Sequence, residues 1–171
     1  METMTKEKCG ALEVLTLSLD GELFALDAGC VREILDLVPV TEVPGSQPFV
    51  NGLINVRGKV VPLADLRLKF GMEQKDATVD TRIVVTEIEL DGFPMTVGIQ
   101  ADKVYEVTEI GASSTEEVPK VGMKWRPEFI RAIGKRDTDF IVVLDLPRIF
   151  AGVGQVRKAG AVEIAKTGGA A

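Results

Sequence analysis

The sequence predicts an all-β protein with only a few short helices, built as two tandem five-stranded units, each fitting a small antiparallel barrel. Three observations carry that prediction. Short runs rich in Val, Ile and Leu alternate with polar residues or stand between Asp-Gly and Pro-containing breaks, which is the pattern of strands. No long helical pattern separates these runs, so neighbouring strands can pair directly. The second half also repeats the first. Leu90-Asp91-Gly92 answers Leu19-Asp20-Gly21, Glu117-Val118-Pro119 answers Glu42-Val43-Pro44, and the spacing then locks. A shift of 80 positions takes Phe49 to Phe129, Asp65-Leu66 to Asp145-Leu146 and Phe70 to Phe150.

In chain order, residues 1–11 form a polar leader with no apolar signal-peptide core, which points to a cytoplasmic protein. Leu12 to Leu19 is a half-buried strand, turned by Asp20-Gly21 into a second strand from Glu22 to Asp27, and Val31 to Leu35 reads as a third. Pro39, Pro44 and Pro48 punctuate the next stretch, where Ser46 can cap a single helical turn. Leu53 to Val56 and Val60 to Leu63 then flank Arg57-Gly58-Lys59 as a hairpin, with Gly58 supplying the positive φ of its turn. Asp65 caps a short helix that places Leu66 and Phe70 on one face, and Gly71 ends it. The polar connector from Gly71 to Asp80 divides a first unit, 12–75, from a second, 76–151.

The second unit carries strands at Arg82 to Leu90, Phe93 to Gln100, Val104 to Ile110, Phe129 to Ile133 and Phe140 to Leu144. Its last turn, Lys135 to Asp139, reads as longer than its Arg57-Gly58-Lys59 counterpart. Residues 152–171, rich in Ala and Gly with a net charge of +2, are expected to be a mobile tail.

The 171 residues, 46% of them hydrophobic, suffice to bury roughly 70% of the extended surface. A net charge of −6 argues against nucleic-acid binding, and the +3 stretch from Val50 to Phe70 is too small to track a phosphate backbone. No apolar run approaches the roughly 18 to 20 residues of a membrane span, so no membrane insertion is expected. Cys9 and Cys30 form no Cys-x-x-Cys pair and read as structural or incidental thiols.

The chain has no histidine, which excludes histidine-dependent triads, histidine-ligated zinc and a phospho-accepting histidine. Gly52 to Lys59 resembles a phosphate loop only superficially: the glycine spacing is one residue too long, and Val60 stands where Ser or Thr would hold magnesium. Asp65 and Asp145 occupy equivalent helix-cap positions, which accounts for both without catalysis. Glu87 and Glu89 share a solvated strand face, and Trp125 reads as a packing residue. No catalytic residue, cofactor or metal is expected. Arg57, taken alone, is a solvated turn charge.

The run Asn51-Gly52-Leu53-Ile54-Asn55-Val56-Arg57-Gly58-Lys59-Val60-Val61-Pro62-Leu63-Ala64-Asp65-Leu66-Arg67 resembles the signature segment of the CheW family of chemotaxis coupling proteins, with Val56 and Ala64 as mild departures. The resemblance extends from about Glu13 to Phe150 and implies two five-stranded SH3-like barrels packed together. It implies a non-catalytic adaptor that couples the cytoplasmic tips of chemoreceptors to a chemotaxis histidine kinase, whose regulatory domain shares the fold.

Carried over by position, the resemblance places receptor binding at Arg57, Gly58, Val31 and Val107. It places kinase binding at Val31-Arg32-Glu33-Ile34. The alternation of Val31 and Val107 is equally compatible with core positions. Two rivals remain: a small β-barrel enzyme using carboxylates such as Asp65, Asp102 or Asp145, and a regulatory-domain fragment of a chemotaxis kinase. A free leader at Met1 with no ATP-binding region ahead of the barrels favours a complete adaptor over the fragment.

Overall fold

The computed structural model describes residues 11–45, 49–111, 115–116 and 126–151. Its strands are β1 (Leu12–Leu19), β2 (Glu22–Asp27), β3 (Val31–Asp36), β4 (Val50–Val56), β5 (Lys59–Ala64), β6 (Arg82–Leu90), β7 (Phe93–Ala101), β8 (Lys103–Ile110), β9 (Thr115–Glu116), β10 (Ile130–Arg136) and β11 (Asp139–Leu144). Helix α1 spans Leu66–Lys69, and residues 146–151 form its counterpart, α2. The leader through residue 10, Ser46, Pro48, Glu117-Val118-Pro119, Trp125 and the tail 152–171 lie outside the described residues. No described helix is long and apolar enough to cross a membrane.

The strands form two sheets, in the orders β8-β1-β2-β11-β10-β9 and β3-β6-β7-β5-β4. The fold class read from the sequence therefore stands: all-β, with two small barrel-like sheets packed together. The expected division at residues 75 and 76 separates the two repeats but not the two sheets, because each sheet draws strands from both. Its physical cause is the parallel pairing of β11 with β2 and of β5 with β7, which joins the last strand of one repeat to the second strand of the other.

That pairing also explains the drifting repeat. Val143 lies opposite Ala25 and Leu63 opposite Gly98, so a shift of 80 in the last strand corresponds to a shift of 73 in the second. Leu15 pairs with Leu26 and Val84 with Ile99, a shift of 69 in the first strand. The β6–β7 hairpin is thus longer at its tip, and both tips turn on an Asp-Gly pair, with φ of 48° and 78° at Asp20-Gly21 and 52° and 82° at Asp91-Gly92.

Neither row of strands is flat. Beyond β3 the chain crosses to the far edge, where Thr41 exchanges two 2.8 Å hydrogen bonds with Leu53 on β4. Beyond β8 it returns as β9, which pairs with β10 at Ile133, the residue 80 positions after Leu53. Gly52 permits the first crossing. At its φ of 151° a Cβ would sit 2.2 Å from the Thr41 carbonyl oxygen, so the glycine that mimics a phosphate loop in sequence serves close backbone approach.

Two corrections concern the last hairpin. The strand expected to start at Phe129 starts at Ile130, because Pro127–Phe129 forms a 3-10 turn with proline at its first position. The turn expected over Lys135 to Asp139 is only Asp137-Thr138, since Lys135 pairs with Phe140 and Arg136 with Asp139. The two hairpin turns are equally long but differ in backbone as well as in chemistry, since Gly58 takes a φ of 83° and Thr138 is not at positive φ. Asp137, like Arg57, takes positive φ (54° and 52°).

Strand alternation sorts the apolar side chains into three clusters. Ile54, Val56, Val61, Leu63, Ile83 and Val85 fill one sheet's concave side. Val14, Ala25, Ile110, Ile141 and Val143 fill the other's. The largest cluster lies between the sheets and includes Leu15, Leu17, Leu19, Phe24, Val84, Ile88 and Ile99. At its centre the repeats exchange aromatic partners: Phe49 meets Phe150 at 5.7 Å between ring centres, and Phe129 meets Phe70 at 6.0 Å. Lys69 Nζ lies 4.7 Å from the Phe49 ring and 5.3 Å from that of Phe129.

Candidate functional site

The β4–β5 turn is built by its own sequence. Arg57 (φ 52°) and Gly58 (φ 83°) both adopt the left-handed conformation, which matches the twist of a two-residue hairpin. The Asn55 side chain accepts a 2.8 Å hydrogen bond from the Gly58 N–H. With its backbone pinned, Arg57 holds an 81% exposed side chain whose Nε lies 3.2 Å from Glu33 Oε2 on β3. Because β3 and β4 are opposite edges of one row, this ion pair spans the seam where the sheet curls round. Glu33 Oε1 is buried and has no hydrogen-bond partner among the described residues.

Strand β3 alternates half-buried Val31, Glu33 and Leu35 with exposed Arg32, Ile34 and Asp36. Val31 packs on the core between the sheets. Arg32 Nε lies 3.1 Å from Glu87 Oε2, and its Nη1 donates to the Gly29 carbonyl at 3.2 Å. Ile34 is 44% exposed.

Val107 stands on β8, in the other sheet, at 53% exposure. The shift of 73 makes it the counterpart of Ile34 and makes Val104 the counterpart of Val31, and Val104, like Val31, packs on the shared core. The residues singled out by position therefore fall into two groups. Arg57, Gly58 and the β3 run Val31 to Ile34 belong to one sheet, with Arg57 and Glu33 in contact, while Val107 belongs to the equivalent edge of the other.

The carboxylates that could have served an enzyme are otherwise engaged. Asp65 is fully buried and accepts from the Arg67 N–H at 3.1 Å, as a cap should. It also receives the Arg67 guanidinium as a fork, Nε at 2.9 Å and Nη2 at 2.7 Å, and the Gln74 amide at 3.1 Å. Asp102 accepts from Arg67 Nη1 at 2.8 Å and from the Asp20 N–H at 2.6 Å. Asp145 accepts from the Arg148 N–H at 3.2 Å.

Arg67, 2% exposed, is the residue that sequence reasoning missed. The Asp65 hydrogen bonds raise its pKa above the ordinary value despite burial, so it stays charged. The signal was the broken repeat, since the residue 80 positions on is Pro147. Cys30, half-buried, has its thiol pKa pushed up by burial and then by Asp27, which makes it a sluggish nucleophile. Among the described residues no group of three or more Cys, Asp or Glu is placed to hold a metal.

Comparison with known proteins adds four findings. The family model of the CheW-like domain matches residues 13–153. The chain is 27% identical over 142 residues to a probable chemotaxis protein CheW of Rhizobium etli, covering 83% of this chain and 89% of that one. It is 28% identical over 139 residues to the chemotaxis protein CheW of Klebsiella aerogenes, covering 81% of each chain. Among solved structures, the scaffolding protein TtCheW of Thermoanaerobacter tengcongensis superposes with a TM-score of 0.73 at 32% identity, covering 81% of this chain and 87% of that one.

Proposed function

We propose, from the premise that this chain belongs to the CheW-like domain family, that it is a non-catalytic adaptor in a bacterial chemotaxis-type signalling assembly. Its partners in this reading are the cytoplasmic tips of chemoreceptors and the regulatory domain of a chemotaxis histidine kinase. The observation that carries the reading is the Arg57 turn. A guanidinium 81% exposed on a backbone fixed by two left-handed residues is presented to a partner at little conformational cost. Asp65 and Asp102, by contrast, are engaged by Arg67, which leaves neither of them free to act as an acid or base.

In this reading Arg57 and Gly58, with Val31 at the edge of the shared core and the exposed Val107 on β8, contact the receptor tip. Val31, Arg32, Glu33 and Ile34 contact the kinase. The Arg57–Glu33 pair then lies at the join of the two surfaces, so either partner's arrival is felt at the other's edge. The test is co-sedimentation of the purified protein with receptor fragments and kinase. Retention of both supports the adaptor; retention of neither, or turnover of a substrate without partners, overturns it.

A further inference from the structure

Arg67 stands where the two sheets are joined. Its guanidinium forks onto Asp65, the residue after β5, with Nε at 2.9 Å and Nη2 at 2.7 Å, and its Nη1 reaches Asp102 Oδ1 at 2.8 Å. Asp102 is the single residue between β7 and β8, so it marks the corner where the chain passes from one sheet to the other. Its second carboxylate oxygen accepts from the Asp20 N–H at 2.6 Å, and its own N–H donates to the Ser18 carbonyl at 3.0 Å, which ties the corner to the β1–β2 hairpin. One buried cation thus connects the end of β5 to the start of β8.

The other copy of the repeat makes the same corner without this connection. Eighty positions after Arg67 stands Pro147, and 73 positions before Asp102 stands Gly29, so the passage from β2 to β3 lacks both partners. It runs through the Ala28–Cys30 turn instead. There the Asp27 carboxylate accepts from the Gly29 N–H at 2.9 Å and from the exposed Arg131 guanidinium at 2.7 Å.

The two strands that Arg67 joins carry the proposed receptor residues. β5 runs from the Arg57-Gly58 turn to Asp65, and β8 carries Val104 on the shared core and the exposed Val107. Along β8, Thr16 Oγ1 donates to the Glu106 carbonyl at 2.9 Å and accepts from the Glu106 N–H at 3.3 Å, so the strand is held to β1 through its bulge and moves with its sheet. Arg57 and Val107 lie in different sheets, and one receptor tip can meet both only where the sheets keep a fixed relation. Apolar contact between the sheets is non-directional; a forked guanidinium adds a defined geometry.

We propose that Arg67, acting through Asp102, is a positioning residue for receptor binding: it fixes one sheet against the other, and with that the spacing of the Arg57 turn from Val107, while touching no partner itself. The inference rests on the adaptor reading. The kinase surface from Val31 to Ile34 lies within one sheet and should not depend on this tie.

Asp102 is the residue to change, because removing Arg67 would leave the buried Asp65 without its cation, whereas without Asp102 the fork onto Asp65 remains. Asp102→Ala and Asp102→Asn, each in the full chain, are titrated against a receptor fragment and the kinase regulatory domain, with a thermal melt of each. Receptor binding should weaken about tenfold, the scale on which a remote residue of a network changes a site, and kinase binding should stay within about twofold. Asp102→Asn keeps the side chain's size and an acceptor for the Asp20 N–H, so the test stands where Asp102→Ala folds poorly. A second readout needs no partner. In a Cys9→Ser, Cys30→Ser background, spin labels at Lys59→Cys on β5 and Glu109→Cys on β8 should give a distance distribution that either Asp102 substitution broadens or shifts. An unmodified chain that binds neither partner overturns the adaptor reading and this inference with it. Where the unmodified chain binds both, the positioning role alone is overturned by variants that keep full receptor affinity, by variants that lose both partners alike, or by an unchanged label distance.

Discussion

Arg57 and Glu33, 24 residues apart in sequence and on opposite edges of one sheet, meet at 3.2 Å across the seam where that sheet curls. Their exposures are unequal, 81% for the arginine side chain and 23% for the glutamate, so the guanidinium neutralises a carboxylate that solvent reaches only in part. A contact this exposed on one side is worth little as stability, roughly 0 to 1 kcal/mol. Its importance is geometric, because it fixes where the guanidinium points.

Arg57→Glu should therefore leave the fold intact but set two carboxylates together, lowering stability by about 1 kcal/mol. The exchange Arg57→Glu with Glu33→Arg should recover that loss. Receptor coupling should fail in both variants, because the donor fork is gone from the turn, while kinase binding by Arg57→Glu should survive. Thermal melts and separate receptor and kinase pull-downs check this; loss of both partners in Arg57→Glu would make Arg57 a structural residue.

Gly52→Ala should destabilise by about 3 kcal/mol or more, because a Cβ placed 2.2 Å from a backbone oxygen cannot be relieved by a rotamer change. Urea melts measure it. Gly58→Ala, with nothing within 4 Å of its added Cβ, should cost less, through its φ of 83° alone. Equal losses at the two glycines would show that the Thr41 crossing yields easily.

Asp65→Ala and Asp145→Ala separate a buried ion pair from a cap. Both residues cap a helix, and losing that cap costs about 1 kcal/mol. Asp65 alone holds a 2% exposed guanidinium, and removing one partner of a buried pair costs roughly 3 to 5 kcal/mol. Chemical denaturation of the two variants should show that gap, and Arg67→Ala should fall near Asp65→Ala. Indistinguishable variants would mean that water reaches Arg67 and screens it.

The hairpin from Val50 to Ala64, its Asp65 cap and the constant shift of 80 were legible because each rests on local chemistry: alternation, a turn glycine, a capping carboxylate. The exchange of strands between sheets was not legible, since a repeat states which segments are alike and not which copy each will pair with. Lys135 and Arg136 looked like turn residues because charge marks solvent exposure, yet both pair within the hairpin, Lys135 with Phe140 and Arg136 with Asp139. Arg67 looked like one more surface cation in a basic stretch; its contacts with Asp102, 35 residues on, and with the connector carbonyl of Lys75 come from tertiary structure. Candidate site residues fared by the same rule. Arg57 and Gly58 could be placed on a turn, but the link of Arg57 to Glu33 is a product of sheet closure.

Ile34 and Val107 offer the sharpest test of the two proposed surfaces. They are counterparts by the shift of 73, each on an edge strand, at 44% and 53% exposure. Because neither is buried, an aspartate at either position should alter stability by no more than about 0.5 kcal/mol, so binding losses can be read as surface effects. An apolar anchor in a protein interface is worth on the order of 1 to 2 kcal/mol or more, which corresponds to about tenfold in affinity. Ile34→Asp should thus weaken kinase binding about tenfold and spare the receptor, whereas Val107→Asp should weaken the receptor and spare the kinase. Titration of each variant against each partner decides it. If both substitutions weakened the same partner, the two edges would form one continuous surface, and the division of roles between β3 and β8 would be wrong even though the adaptor reading stood.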